Sequence, residues 1–150
     1  MFKNFTTRMC QTLAVLALAI GLAGCGPDDG MVGVSGTITM DGKPVPEGSI
    51  TFTPVDGKGR PGGGAFENGS FSTRAFPGET AVQIHGHEII QLPNPTQEQV
   101  ERGLDTERKS IVPGVYNNAS KLRIDISPEN NTFDFDLTSD GKIPEGMAAK

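Results

Sequence analysis

Short runs of alternating apolar and polar residues, cut by glycine, proline and Asx-Gly pairs, fill most of the chain between positions 32 and 138. Val32, Val34, Gly36, Ile38 and Met40 alternate with Gly33, Ser35, Thr37 and Thr39. A period of two puts the two sets on opposite faces of an extended chain, so this run predicts a half-buried β-strand. The same period returns at Ser49–Thr53, with Ile50 and Phe52 inward, and at Thr80–Ile84, with Val82 and Ile84 inward. Ala65-Phe66-Glu67 and Ser70–Thr73 flank Asn68-Gly69, the signature of a hairpin closed by a type I′ turn. Leu122, Ile124 and Ile126 form one more strand face. Phe133, Phe135 and Leu137 form the last, with Asp134 and Asp136 opposite.

The connections are equally patterned. Asp41-Gly42 accepts positive φ and predicts a turn. Lys43-Pro44-Val45-Pro46 has two residues without an N–H and predicts an extended connector rather than a paired strand. Asp56–Gly64 holds five glycines and one proline and predicts a mobile loop. Seven short strands with such turns predict an all-β fold, a seven-stranded antiparallel β-sandwich. Its inner residues would include Ile38, Ile50, Phe52, Phe71, Val82, Ile84, Leu122, Ile124, Phe133 and Phe135.

Between 87 and 119 the alternation breaks, over more residues than connections in compact domains usually use. Thr96-Gln97-Glu98-Gln99 has the form of a capping box, and Gly103 would end a helix of about two turns. The first part of this excursion, Gln91–Lys109, is expected to be mobile apart from that helix. It is also the preferred partner-contact segment, through Gln91, Gln97, Val100, Leu104 and Arg108, because loops on a rigid sheet commonly carry recognition. Its second part, with Ile111, Val112, Val115 and Tyr116, offers too much apolar area to stay wet. It should be pinned to the sandwich, with the Tyr116 hydroxyl at the surface. Residues 139–150 lack an apolar period and are expected to be a flexible tail.

The chain opens differently. Lys3 and Arg8, with no acidic neighbour, precede an unbroken apolar run from Leu13 to Ala23, the head and body of a secretory signal peptide. Eleven residues of helix cover roughly 16 Å of a hydrocarbon core about 30 Å thick, too little for a permanent span. Leu22-Ala23-Gly24-Cys25 resembles the lipobox of bacterial lipoproteins. The resemblance implies signal-peptidase recognition at Leu22, Ala23 and Gly24, cleavage after Gly24, and a diacylglyceryl group on the Cys25 sulfur. The new amino terminus would then be acylated, palmitate being a typical chain. Residues 1–24 would be discarded and 25–31 would form a lipidated tether. Gly26 stands where some lipoproteins carry an Asp that retains them at the inner membrane, which points to the outer membrane. The expected location is therefore the bacterial cell envelope, with the membrane itself a partner through lipidated Cys25.

Of thirteen basic residues, Lys3 and Arg8 fall in the leader, leaving 11 against 18 acidic and a net charge of −7 on the mature chain. That balance argues against nucleic acid and against direct adhesion to anionic lipid. Cys10 lies in the leader and Cys25 would be consumed by the thioether, so an exported mature chain of 126 residues would hold no disulfide.

Gly36–Pro46 followed by Ile50-Thr51-Phe52 resembles the opening of carboxypeptidase-regulatory-like domains, which have a transthyretin-like sandwich. Phe71-Ser72 and Pro77-Gly78 resemble later strands of that family, which often has an aromatic residue where this chain has Thr80. Val112-Pro113, Tyr116-Asn117 and Asp134-Phe135-Asp136-Leu137 resemble small bacterial lipoproteins bearing the domain, so the likeness spans 32–138. It implies a non-catalytic module. No catalytic residue and no cofactor is expected. No Gly-x-Ser-x-Gly elbow is present, and Gly57–Gly64 lacks the Gly-Lys-Ser/Thr of a phosphate loop. His85-Gly86-His87 would put two imidazoles on one strand face, but no third ligand is fixed by spacing, so they read as surface histidines and no metal is expected. Asp134, Asp136 and Asp125 read as a solvated sheet face rather than a hard-cation site. Lys43, in a turn, does not suit an intramolecular isopeptide bond. The expected function is a lipid-anchored envelope scaffold or protein-interaction module. The alternative is a carbohydrate- or peptide-binding module, although one Tyr and no Trp disfavour an aromatic sugar platform.

Overall fold

The computed structural model describes residues 29–148. Nine strands form one curled, mostly antiparallel sheet: β1 (Val32–Met40), β2 (Lys43–Pro44), β3 (Glu47–Pro54), β4 (Gly62–Glu67), β5 (Ser70–Ala75), β6 (Gly78–Gln91), β7 (Thr106–Ser110), β8 (Leu122–Ile126) and β9 (Thr132–Leu137). One helix, α1 (Gln97–Glu101), and a 3₁₀ turn, Gly114–Tyr116, complete it. The neighbour order is β2-β1-β5-β4-β3-β6-β7. Gly36 pairs with both Phe71 and Phe133, so β9 lies on the edge of β1 opposite β5. Val82 pairs with Phe52 and Leu122, and His87 with Glu47 and Ser110. Strands β8 and β7 therefore share the edge of β6 that faces away from β3.

The expected all-β class holds, with two differences in the strands. There are nine rather than seven, and the β1–β9 pair is parallel. The parallel pair is tight. A Cβ on Gly36 would run into the carbonyl of Phe133, so the glycine is what lets β9 lie down beside β1.

All ten expected inner residues are buried. The Phe71 ring lies 6.1 Å from Phe52 and 6.0 Å from Phe135, which ties β3, β5 and β9 into one core. Phe133 and Phe135 point in while Asp134 and Asp136 point out, as period two requires. Asp134 and Asp136 accept bonds from the Thr37 and Thr39 hydroxyls at 2.6 and 2.8 Å, a neighbourly use of two carboxylates on a wet face. Asn68 and Gly69 have φ of 50° and 71°, and Asp41 and Gly42 of 49° and 77°, fitting tight hairpin turns.

Three connections differ from expectation. Lys43-Pro44 does pair with β1, and Val45 behind it is fully buried. The Val45 N–H donates to Ile38 O on β1, and its carbonyl accepts from Gly69 N–H in the β4–β5 turn, so both of its backbone groups are paired although prolines flank it. Gly62–Gly64, expected within a mobile loop, is the first half of β4 and pairs with Ile50–Phe52. The segment after Thr138, expected to be flexible, packs against the core through Ile143 and Met147 and bridges Leu122 through Ala148. Tyr116 is fully buried rather than surface-tipped. Its hydroxyl donates to Lys142 O at 2.6 Å and accepts the Thr138 N–H at 3.2 Å, so one side chain fixes both ends of that turn.

Candidate functional site

The expected contact segment turns out to be built on a projecting arm. Strand β6 does not stop at the sheet but continues through Gln91, and β7 returns beside it. The pairing runs from His87↔Ser110 to Gln91↔Thr106, and Leu92 N–H donates to Asp105 O at 2.8 Å to close the ribbon. No residue from His87 to Ile111 is buried. The arm therefore stands off the core, with α1 at its tip.

The tip helix forms for the reason its sequence suggests. The Thr96 hydroxyl accepts the Gln99 N–H at 3.2 Å, and the Gln99 side chain accepts the Thr96 N–H at 2.8 Å, a reciprocal capping box. Gly103, with φ of 65°, ends it. None of its residues is buried, so α1 presents its apolar side to solvent.

Among the described residues the exposed large hydrophobics are Val55, Ile89, Val100 and Leu104, and the last three lie on this arm. Ile89, 57% exposed, was hidden in the sequence because His87–Gln91 does not alternate cleanly. The residues named from sequence are distributed along the arm. Gln91 ends β6, Gln97 and Val100 sit on α1, Leu104 follows it, and Arg108 stands on β7 opposite Ile89.

A charged cluster holds the root. His87 Nε2 lies 2.7 Å from Glu47 Oε1, off the line of a formal hydrogen bond, and neither atom makes a hydrogen bond elsewhere. Arg108 Nε approaches the same oxygen at 3.7 Å. His85 is exposed one rung further along, opposite Ser49. Among the described residues no group of three His, Cys, Asp or Glu side chains is placed to hold a metal ion. Behind the root, Gly86 makes room for the core. A Cβ there would press on Val45 Cγ1 at 2.6 Å and Val112 Cγ2 at 2.7 Å. Those two side chains seal the base of the arm, and Val112 and Tyr116 are buried as expected of the pinned segment. Under the arm, Lys43, Pro44, Glu88, Lys109 and Ile111 border an open groove of about 490 Å³.

Cys25, Leu22, Ala23 and Gly24 lie outside the described residues. Asp29, the first of the described residues, is clamped. Arg74 grips it with two nitrogens, at 2.7 and 3.1 Å, and Arg60 adds a contact at 3.1 Å. The Met31 N–H does most to hold the Asp29 carboxyl below its ordinary value; desolvation opposes it, and the Arg74 guanidinium, the Asp29 backbone N–H and the Arg60 guanidinium, in that order, add to the lowering.

Comparison with protein-family models, curated proteins and solved structures finds no match.

Proposed function

We propose that this chain is a lipid-anchored cell-envelope protein whose non-catalytic β domain serves as a scaffold or protein-interaction module, with the β6–β7 arm as its contact surface. The concentration of exposed Ile89, Val100 and Leu104 on one projecting arm carries the contact assignment. Single exposed apolar residues are ordinary, but three on a ribbon that buries nothing of its own make an arm better suited to a partner than to water. The anchor rests on the Leu22-Ala23-Gly24-Cys25 motif after its apolar run. Several acyl chains at about 0.8 kcal/mol per buried methylene hold far better than one. Gly26, standing after the cysteine in place of an Asp, favours the outer membrane over the inner.

In this reading the curled sheet is a sandwich of transthyretin-like type. In support, β4 and β5 pair only at Phe66↔Phe71 and Glu67↔Ser70, which leaves the two halves of the sheet free to diverge. The sequence likeness over 32–138 to carboxypeptidase-regulatory-like domains agrees with it.

Capture of envelope proteins by the full-length lipidated chain tests the contact surface. The wild type should retain a protein that Val100→Asp with Leu104→Asp loses, while melting temperature stays unchanged. Retention of the same protein by both would remove the arm from the interface. A retained glycan in place of a protein would favour the carbohydrate-binding alternative.

A further inference from the structure

We infer that the open edge of β7 pairs with the β7 of a second copy of this chain, antiparallel and centred on Arg108. This names a partner for the arm and rests on the arm being a contact surface.

The edge is open and its backbone groups are aimed. Ile111 N–H donates to Gly86 O, and Leu92 N–H to Asp105 O, so the odd-numbered positions of this strand turn their polar groups towards β6. In an antiparallel ladder the alternate residues then point the other way. Thr106, Arg108 and Ser110 thus direct N–H and C=O outward, and no backbone group among the described residues meets them.

The side chains choose the register. Strand β7 reads Thr106-Glu107-Arg108-Lys109-Ser110. With Arg108 opposite its own copy, Thr106 faces Ser110 and Glu107 faces Lys109, each twice by symmetry. Both ion pairs fall at non-hydrogen-bonded positions, where side chains approach most closely. Each Arg108 is already turned towards Glu47 of its own chain, which relieves the like charge at the centre. The neighbouring symmetric registers fail: one sets Glu107 against Glu107, the other Lys109 against Lys109. Charges on an edge strand normally prevent association. Here they disfavour the two symmetric registers on either side of the Arg108-centred one.

The opposite edge of the sheet shows the contrast. Strand β9 carries Asp134 and Asp136 on one face, so its symmetric pairings set carboxylate against carboxylate. The Arg108-centred pairing is isologous, as expected for a two-fold dimer. Six backbone bonds and two copies of the Glu107–Lys109 ion pair make a small interface, suited to copies concentrated on a shared membrane.

Cysteine cross-linking of the full-length chain in its native membranes tests this, with the chain lacking added cysteine as baseline. Arg108→Cys should form a dimer on mild oxidation, because paired Cα atoms about 5.5 Å apart suit a disulfide. Thr106→Cys alone should not, its copies lying about 13 Å apart along the strand. Thr106→Cys co-expressed with Ser110→Cys should link, which keeps the test valid if Arg108→Cys folds poorly. Adding Glu107→Lys to Arg108→Cys should lower the dimer yield about tenfold, and Lys109→Glu on top should restore it. Equal linking at 106, 108 and 110, or none at 108 and none between 106 and 110, overturns the pairing. Loss of the captured protein in Val100→Asp with Leu104→Asp, without a link at 108, would overturn the dimer alone. Unchanged capture would sink the arm as a contact surface.

Discussion

Tyr116→Phe isolates the bond that ties the carboxy-terminal segment to the sheet. The ring stays, so core volume is nearly conserved and only the hydroxyl is lost. That hydroxyl donates to Lys142 O at 2.6 Å and accepts from Thr138 N–H at 3.2 Å. Each bond is worth about 0.5–1.5 kcal/mol net, and partners left buried without replacement raise the cost. The expected loss is about 1–3 kcal/mol. For a domain of this size, roughly 4 °C accompanies each kcal/mol, so the melting temperature should fall by about 4–12 °C. Differential scanning calorimetry gives that number. Hydrogen exchange locates it: amides of Gly141 and Met147, bonded to Thr138 and Pro144 carbonyls, should exchange faster in the variant. An unchanged melting temperature together with unchanged exchange in 138–148 would refute the latch.

Three further outcomes are expected. Phe135→Ala, at a fully buried ring tilted against Phe71, should cost about 3–5 kcal/mol by chemical denaturation, and a loss under 1 kcal/mol would take β9 out of the core. Because the folded Asp29 carboxyl sits below its ordinary value of 3.8, its contribution is present above that pH and drains away as pH falls through the lowered value. Melting curves of Asp29→Asn and wild type should therefore converge in strong acid and separate above pH 4; parallel curves throughout would dismiss the clamp. In the free protein, amides of 91–109 should exchange fast and those near Tyr116 slowly, since a two-stranded ribbon alone is marginal; uniform protection would mean that the arm is packed.

Period-two alternation was enough to place Phe133 and Phe135 inside, because a one-residue slip would bury Asp134 and Asp136. The capping box was legible because Thr96 and Gln99 satisfy each other locally, whatever surrounds them. The arm itself was not. His87–Gln91 has no core on either face to impose alternation, so β6 continues through a sequence that reads as broken. Val45 was obscured by its flanking prolines, yet its own N–H is bonded to Ile38 O on β1 and its carbonyl to Gly69 N–H in the β4–β5 turn. The ordered tail left no period either, since irregular backbone is held there by one hydroxyl and a few apolar side chains. The parallel placement of β9 against β1 depends on Gly36 yielding space, a constraint visible only once both strands are side by side.

Under the proposed function, the arm meets a partner only if the protein is displayed at the membrane, and that display would depend on Cys25. Membrane fractionation of the full-length wild type and Cys25→Ser, each washed with alkaline carbonate, measures this directly. The wild type should remain in the membrane pellet and Cys25→Ser should move to the supernatant. A Cys25→Ser protein that stays in the washed pellet would contradict the lipid anchor.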